Sequence, residues 1–129
     1  MVAGYSGTPV QKKLGLKPGT RLRLLRPPRR FLEPAEGWLL VDDRFNVAVA
    51  FCLSIDEVAD AFTQLEPHLD PPGGIWIAWP KKASGISTDC SDMAVRDAGL
   101  ATGLVDNKVC AIDETWSALR FARRVDAKK

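Results

Sequence analysis

The stretch VAVAFCLSIDEVADAFTQLEPHLDPPGGIWIAWP, Val47 to Pro80, decides the fold. Its first six residues alternate bulky Val47, Val49 and Phe51 with small Ala48, Ala50 and Cys52. That pattern is a strand apolar on both faces, so both faces have to be covered. Ser54 and Glu57 then stand at capping-box spacing. Ile55, Val58, Ala59, Phe62, Leu65 and Leu69 follow the helical period, with Asp56, Glu57, Asp60 and Gln64 opposite. Asp70-Pro71-Pro72-Gly73-Gly74 breaks the helix, and Ile75 to Trp79 is a second strand apolar on both faces. Strand, helix and buried strand in this order predict a parallel, right-handed crossover. Trp76 and Trp79 then fall on opposite faces as core residues.

Toward the amino end, Thr8, Pro9 and Gln11 have the form of an N-cap, a first-turn proline and a capping-box partner, with Gly15 as the stop. A short helix over 9–14 is expected. After the Lys17-Pro18-Gly19 turn, Arg21 to Leu25 alternates as a strand, and Pro27-Pro28 ends it because neither proline donates to a ladder. Trp38 to Val41 is a weaker strand candidate. Toward the carboxyl end, Thr88 or Ser91 caps a helix running to about Ala101, with Cys90, Met93, Ala94, Ala98 and Ala101 inward. Leu104 to Ile112 and Trp116 to Arg123 read as an edge hairpin about Asp113-Glu114-Thr115, followed by a disordered tail over 125–129. The fold class is α/β: a Rossmann-like open sheet, mostly parallel with an antiparallel C-terminal hairpin.

The 129 residues fit one domain, 1–129. Cys52, Cys90 and Cys110 are odd in number, widely spaced and set among apolar neighbours, as in a protein with reduced thiols. No apolar run approaches the roughly 18 to 20 residues that span a bilayer, so a soluble, cytoplasmic protein with no membrane partner is expected. The net charge is +2, but Lys12, Lys13, Lys17, Arg21, Arg23, Arg26, Arg29 and Arg30 all precede the first acidic residue, Glu33. Such a block is either a solvated face, neutralised by the acidic stretch that follows, or a surface that attracts phosphates or nucleic acid.

Three segments resemble one small bacterial family: AGYSGTPVQKKLGLKPGTRL (3–22), IWIAWPKKASG (75–85) and GLVDNKVCAIDETWSALR (103–120). They are similar to domain of unknown function 3052. The resemblance implies a compact methyltransferase-like fold and brings no activity with it. In that fold, glycines in the turn after the first strand let backbone amides approach S-adenosylmethionine. Here the turn is Arg26-Pro27-Pro28-Arg29-Arg30, so two donors are lost and the backbone is stiff. Asp42 and Asp43 stand either where related folds hold a ribose or in an ordinary turn.

Other chemistries are poorly supplied. The lone histidine, His68, stands beside Pro67 at a helix end, and no serine occupies a nucleophile elbow. A zinc site would need distant cysteines to converge on it. Ligands of open α/β sheets collect at the carboxyl edge. That edge should carry Arg26, Arg29 and Arg30 after the first strand, Ser54 after the central one, and Lys81, Lys82, Ser84 and Gly85 after Trp79. If these loops converge they form a cationic pocket. The expected function is a non-catalytic binding or regulatory module with an anionic small-molecule or acidic protein partner there, and no cofactor. An atypical S-adenosylmethionine-dependent methyltransferase is the alternative, and weak nucleic-acid binding through the basic amino-terminal segment is a second. The edge hairpin also offers a surface for a homodimer.

Overall fold

The computed structural model describes residues 10–28 and 39–124. Arg29, Arg30 and Trp38, the Thr8-Pro9 cap and the tail 125–129 lie outside the described residues. Six strands form one sheet: β1 (Arg21–Leu25), β2 (Leu39–Leu40), β3 (Phe45–Phe51), β4 (Leu69–Pro80), β5 (Val105–Ala111) and β6 (Trp116–Ala122). Their spatial order is β2-β1-β3-β4-β6-β5. The first four are parallel, and β6 and then β5 add antiparallel. Helices α1 (Val10–Lys13), α2 (Ile55–Leu65) and α3 (Asp92–Leu100) cover the faces.

The alternation in β3 divides the core. Ala48, Ala50 and Cys52 face α2 and α3, and small residues there let Val58, Phe62 and Leu65 approach closely. Val47, Val49 and Phe51 join Trp76, Leu14 and Leu16 on the other face. The Trp76 indole N–H donates to the Leu14 carbonyl at 3.1 Å, which pins the turn after α1 over that face. Trp79 belongs to the α2/α3 face, so the two tryptophans do lie on opposite sides of the sheet.

Three details depart from the sequence pattern. The prolines and glycines at 71–74 belong to β4 and do not form a simple linker. Phe45 pairs with Leu69 and Val47 with Gly74, so the extra residues bulge out of register. Gly73 is required there, since a Cβ would lie 1.9 Å from the Asn46 carbonyl oxygen. In α3 the buried residues are Val95 and Gly99, whereas Met93 is exposed. Phe121 occupies the space a Cβ on Gly99 would need, at 2.1 Å, and crosses Phe62 edge-on at 5.2 Å. In α2, Ala61 is buried and Ala59 exposed, one position round from the expected stripe.

Candidate functional site at the carboxyl edge of the sheet

The chain leaves β1 toward β2 on one side and later leaves β3 toward β4 on the other. The strand order therefore reverses between β1 and β3. The crevice beyond those two carboxyl ends is where an open α/β sheet ordinarily takes a ligand. Arg26 fills it. This residue sits at φ 56, in the left-handed region, and its side chain turns back across the sheet. The guanidinium donates to the Phe51 carbonyl at 3.2 Å and the Glu57 carbonyl at 3.1 Å. It also pairs with Asp60 at 3.4 Å and Glu57 at 3.7 Å. Burial works against its charge, but the Cys52 thiol and the two carboxylates outweigh that and hold its pKa above the ordinary arginine value. Burial in turn pushes the Cys52 thiol up to about 11, against the pull of Arg26.

The amino end of α2, the other usual donor of amides, is likewise engaged. Ser54 accepts from the Glu57 amide at 3.2 Å, the cap its spacing predicts, while the Glu57 carboxylate reaches past the cap residue and accepts from the Leu53 amide at 2.7 Å, one residue earlier than a capping box requires. Asp89 accepts from the Ile55 amide at 2.8 Å, so a carboxylate of the protein's own stands where an anionic ligand would. Ser54 is thus a helix cap, and Arg26 an internal clasp.

The open space lies one strand further along. A cleft of about 590 Å³ opens at the carboxyl end of β4 beside the start of α3. Lys81, Lys82 and Gly85 line it, as do Trp79, Ile86 and Val109. Local bonds hold the loop that shapes it. The Lys81 amide donates to the Thr115 carbonyl at 2.8 Å, Ser84 Oγ donates to the Lys81 carbonyl at 2.7 Å, and Gly85 takes φ 78, where a side chain is strained. Thr88 Oγ1 then donates to the Leu53 carbonyl at 2.6 Å, tying the loop to β3. Neither Lys81 nor Lys82 has an acidic partner among the described residues. The cleft therefore combines two ammonium groups with hydroxyls, the Asp92 carboxylate that Arg96 already pairs with, and an apolar wall on which Val109 is 65% and Ile86 40% exposed.

Of the expected site residues, the structure gathers Lys81, Lys82 and Gly85 at this cleft, with Ser84 spent on the loop beneath them. Arg26 and Ser54 do not line it. Arg29 and Arg30 lie outside the described residues. Asp42 and Asp43 stand in an exposed turn that leads to the opposite edge, where Arg44 and Arg21 both pair with Asp70. Ile86 and Val109 were not legible as wall residues. Val109 joins the cleft only because β5 pairs with β6 in the register that sets it opposite Leu119.

No family model matches the chain, and no curated protein does. The resemblance to domain of unknown function 3052 gains no support. Solved structures do match. A putative methyltransferase from Thermoplasma acidophilum is 9% identical with a TM-score of 0.52, covering 97% of this chain and 77% of its own. LepI, solved in complex with SAM, is 12% identical with a TM-score of 0.57, covering 89% of this chain and 39% of its own. Magnesium protoporphyrin IX methyltransferase from Synechocystis PCC 6803, solved with bound SAM, is 8% identical with a TM-score of 0.50, covering 68% and 46%. The sheet is a methyltransferase-like Rossmann fold. At these identities the likeness is one of fold, and the chain spans less than half the length of the two SAM-bound neighbours.

This likeness corrects the expectation of no cofactor. Two of the neighbours were solved with SAM, and a LepI variant with SAH, so in those proteins the architecture holds an adenosyl ligand. The missing glycine turn was too narrow a ground for that expectation, because it describes one loop and the fold offers a whole edge. The usual cradle itself does not fit among the described residues: Arg26 occupies the crevice, and Asp89 and Ser54 take the Ile55 and Glu57 amides of α2's first turn.

Proposed function

We propose that this chain is an atypical domain of the SAM-dependent methyltransferase type, one that takes an adenosyl ligand in the cleft beside β4 and not against the turn after β1. One observation carries this reading: the crevice at the strand-order reversal is filled by Arg26, while the neighbouring stretch of the same edge is an open cleft that presents Lys81 and Lys82. Lys81 and Lys82 would hold a carboxylate, and Trp79, Ile86 and Val109 would lie against an apolar ring system. SAM supplies an electrophilic methyl group on a sulfonium when bound. The protein's own part in this reading is to bind and orient. Membership of domain of unknown function 3052 rests on the three sequence segments alone.

A second reading, an anionic small molecule or acidic peptide without an adenosyl group, is favoured by the two lysines that lack acidic partners among the described residues. Calorimetric titration with SAM, SAH, inorganic phosphate and an acidic peptide separates the two. Saturable binding of SAM or SAH that is lost in Lys81→Ala/Lys82→Ala supports the first. Binding of phosphate or peptide with no response to either adenosyl ligand replaces it with the second. Adenosyl binding that is indifferent to the double substitution overturns the assignment of the cleft.

A further inference from the structure

On the face opposite α2 and α3, at the amino edge of the sheet, Arg120 reaches out from β6. Its guanidinium lies flat over Gly74, where a Cβ would come within 2.5 Å of Cζ, so glycine makes room for it. Its hydrogen bond in the structure is a long one, 3.4 Å to the Pro72 carbonyl. It has no carboxylate partner among the described residues, whereas Arg21, Arg26, Arg44, Arg96 and Arg123 all have one. Directly across the ladder stands Lys108, a like charge, and pairing of that kind is destabilising unless something answers it. Beside Arg120 is a cavity of about 400 Å³ also lined by Lys17, Thr20, Asn46 and Gly73, with no acidic residue in its wall among the described residues. Lys17 is presented by a tight Lys17-Pro18-Gly19-Thr20 turn, closed by the Thr20 amide on the Lys17 carbonyl at 3.0 Å. Gly19 at φ 90 allows that turn.

We infer that Arg120 and Lys17 form an oxyanion-binding site for a phosphate-bearing small molecule, on the far side of the sheet from the β4 cleft. A half-buried guanidinium is costly to keep without an anion, and burial alone lowers the Arg120 pKa from its ordinary value. A planar fork beside an ammonium matches the oxygens of a phosphate, and the cavity admits a small molecule and not a duplex. The inference is independent of the proposed adenosyl ligand, since the two sites share no residue.

The test is titration of the ¹⁵N-labelled chain with inorganic phosphate and with a phosphomonoester, following the arginine side-chain Nε–Hε resonances by NMR. Saturable movement of the Arg120 resonance is expected with either probe. Arg120→Met keeps the stem over Gly74, should fold at least as firmly as the parent, and should bind phosphate about tenfold or more weakly. Lys17→Gln, in an exposed turn, should weaken binding to a lesser degree, and Lys81→Ala/Lys82→Ala should leave it unchanged. No saturable change at tens of millimolar phosphate, equal binding by Arg120→Met, or loss of binding only in the Lys81/Lys82 variant overturns the site. So does a response to long polyanions alone, which would make this face a nucleic-acid surface.

Discussion

Arg26 is asked to do two opposing things, and a pair of substitutions separates them. Its side chain clasps β1 to β3 and α2, while its backbone sits at φ 56, a region that costs a residue with a Cβ about 1–2 kcal/mol. Arg26→Ala removes the bonds to the Phe51 and Glu57 carbonyls and both carboxylate pairs but keeps the backbone cost. Charge-assisted bonds contribute about 1.5–3 kcal/mol when buried, but this side chain is 32% exposed, so the low end applies. The loss should be roughly 2 kcal/mol. Arg26→Gly removes the same bonds and also relieves the backbone, and after the extra unfolded-state entropy of glycine it should be about 0.5–1 kcal/mol more stable than the alanine variant. Urea unfolding followed by tryptophan fluorescence measures both differences. Alanine equal to or better than glycine, or either variant as stable as the parent, would show that the clasp was misjudged. The same proteins test the location of the ligand. If an adenosyl ligand occupies the β4 cleft, both variants bind it as the parent does. A large gain of affinity in Arg26→Gly would move the ligand to the β1/β3 crevice and refute the proposed route.

Gly99→Ala should destabilise the fold by roughly 1–2 kcal/mol, since a Cβ 2.1 Å from the Phe121 ring forces helix and strand apart and outweighs alanine's helix preference. Denaturation showing a more stable variant would contradict that packing. Hydrogen bonds from Arg44 and then Arg21 hold the Asp70 carboxyl below its ordinary range, so its stabilising contribution is present above the unfolded carboxylate value and disappears as pH falls through the lower folded one. The stability gap between parent and Asp70→Asn should therefore close below about pH 4, and a gap of equal size at pH 6 and pH 3 would remove Asp70 as its cause. Cys52 behaves in the opposite sense. Burial raises its folded pKa to about 11, so stability should fall as pH rises from the unfolded thiol value toward 11. The slope for this one proton is at most about 1.4 kcal/mol per pH unit. Cys90 and Cys110 shift the same way through burial, so Cys52→Ala should soften this alkaline fall without abolishing it. An identical alkaline slope in the variant would exclude Cys52.

The parts of this chain that were readable as sequence are those whose signal is local. Val47 to Cys52 announce a strand covered on both faces, because alternation of large and small side chains maps directly onto a pleat. Ser54 and Glu57 announce a helix start, because a cap and its partner are three residues apart. The helix at 92–100 starts where the sequence pattern expects it, with Cys90 and Ala98 inward as expected, but Met93 and Ala101 are exposed and Val95 and Gly99 take the buried positions. Nothing in Met93 or Ala94 reveals that Phe121, from β6, would choose Gly99 as its seat.

The site divides in the same way. That Lys81, Lys82 and Gly85 follow a buried strand is a fact of sequence, and it placed them at the carboxyl edge. Which strand ends lie beside which is a matter of pairing order, and that order put Arg26 against Phe51, Glu57 and Asp60, where its charge is consumed. Pairing order likewise set Arg120 opposite Lys108 and over Gly74, with no carboxylate partner among the described residues. The parallel crossover, its helix caps and its doubly buried strands follow from local sequence, because periodicity and capping act over a few residues. Which cations are spent and which remain available is settled by the folded pairing, because the energy of a charge depends on partners that arrive from distant parts of the chain.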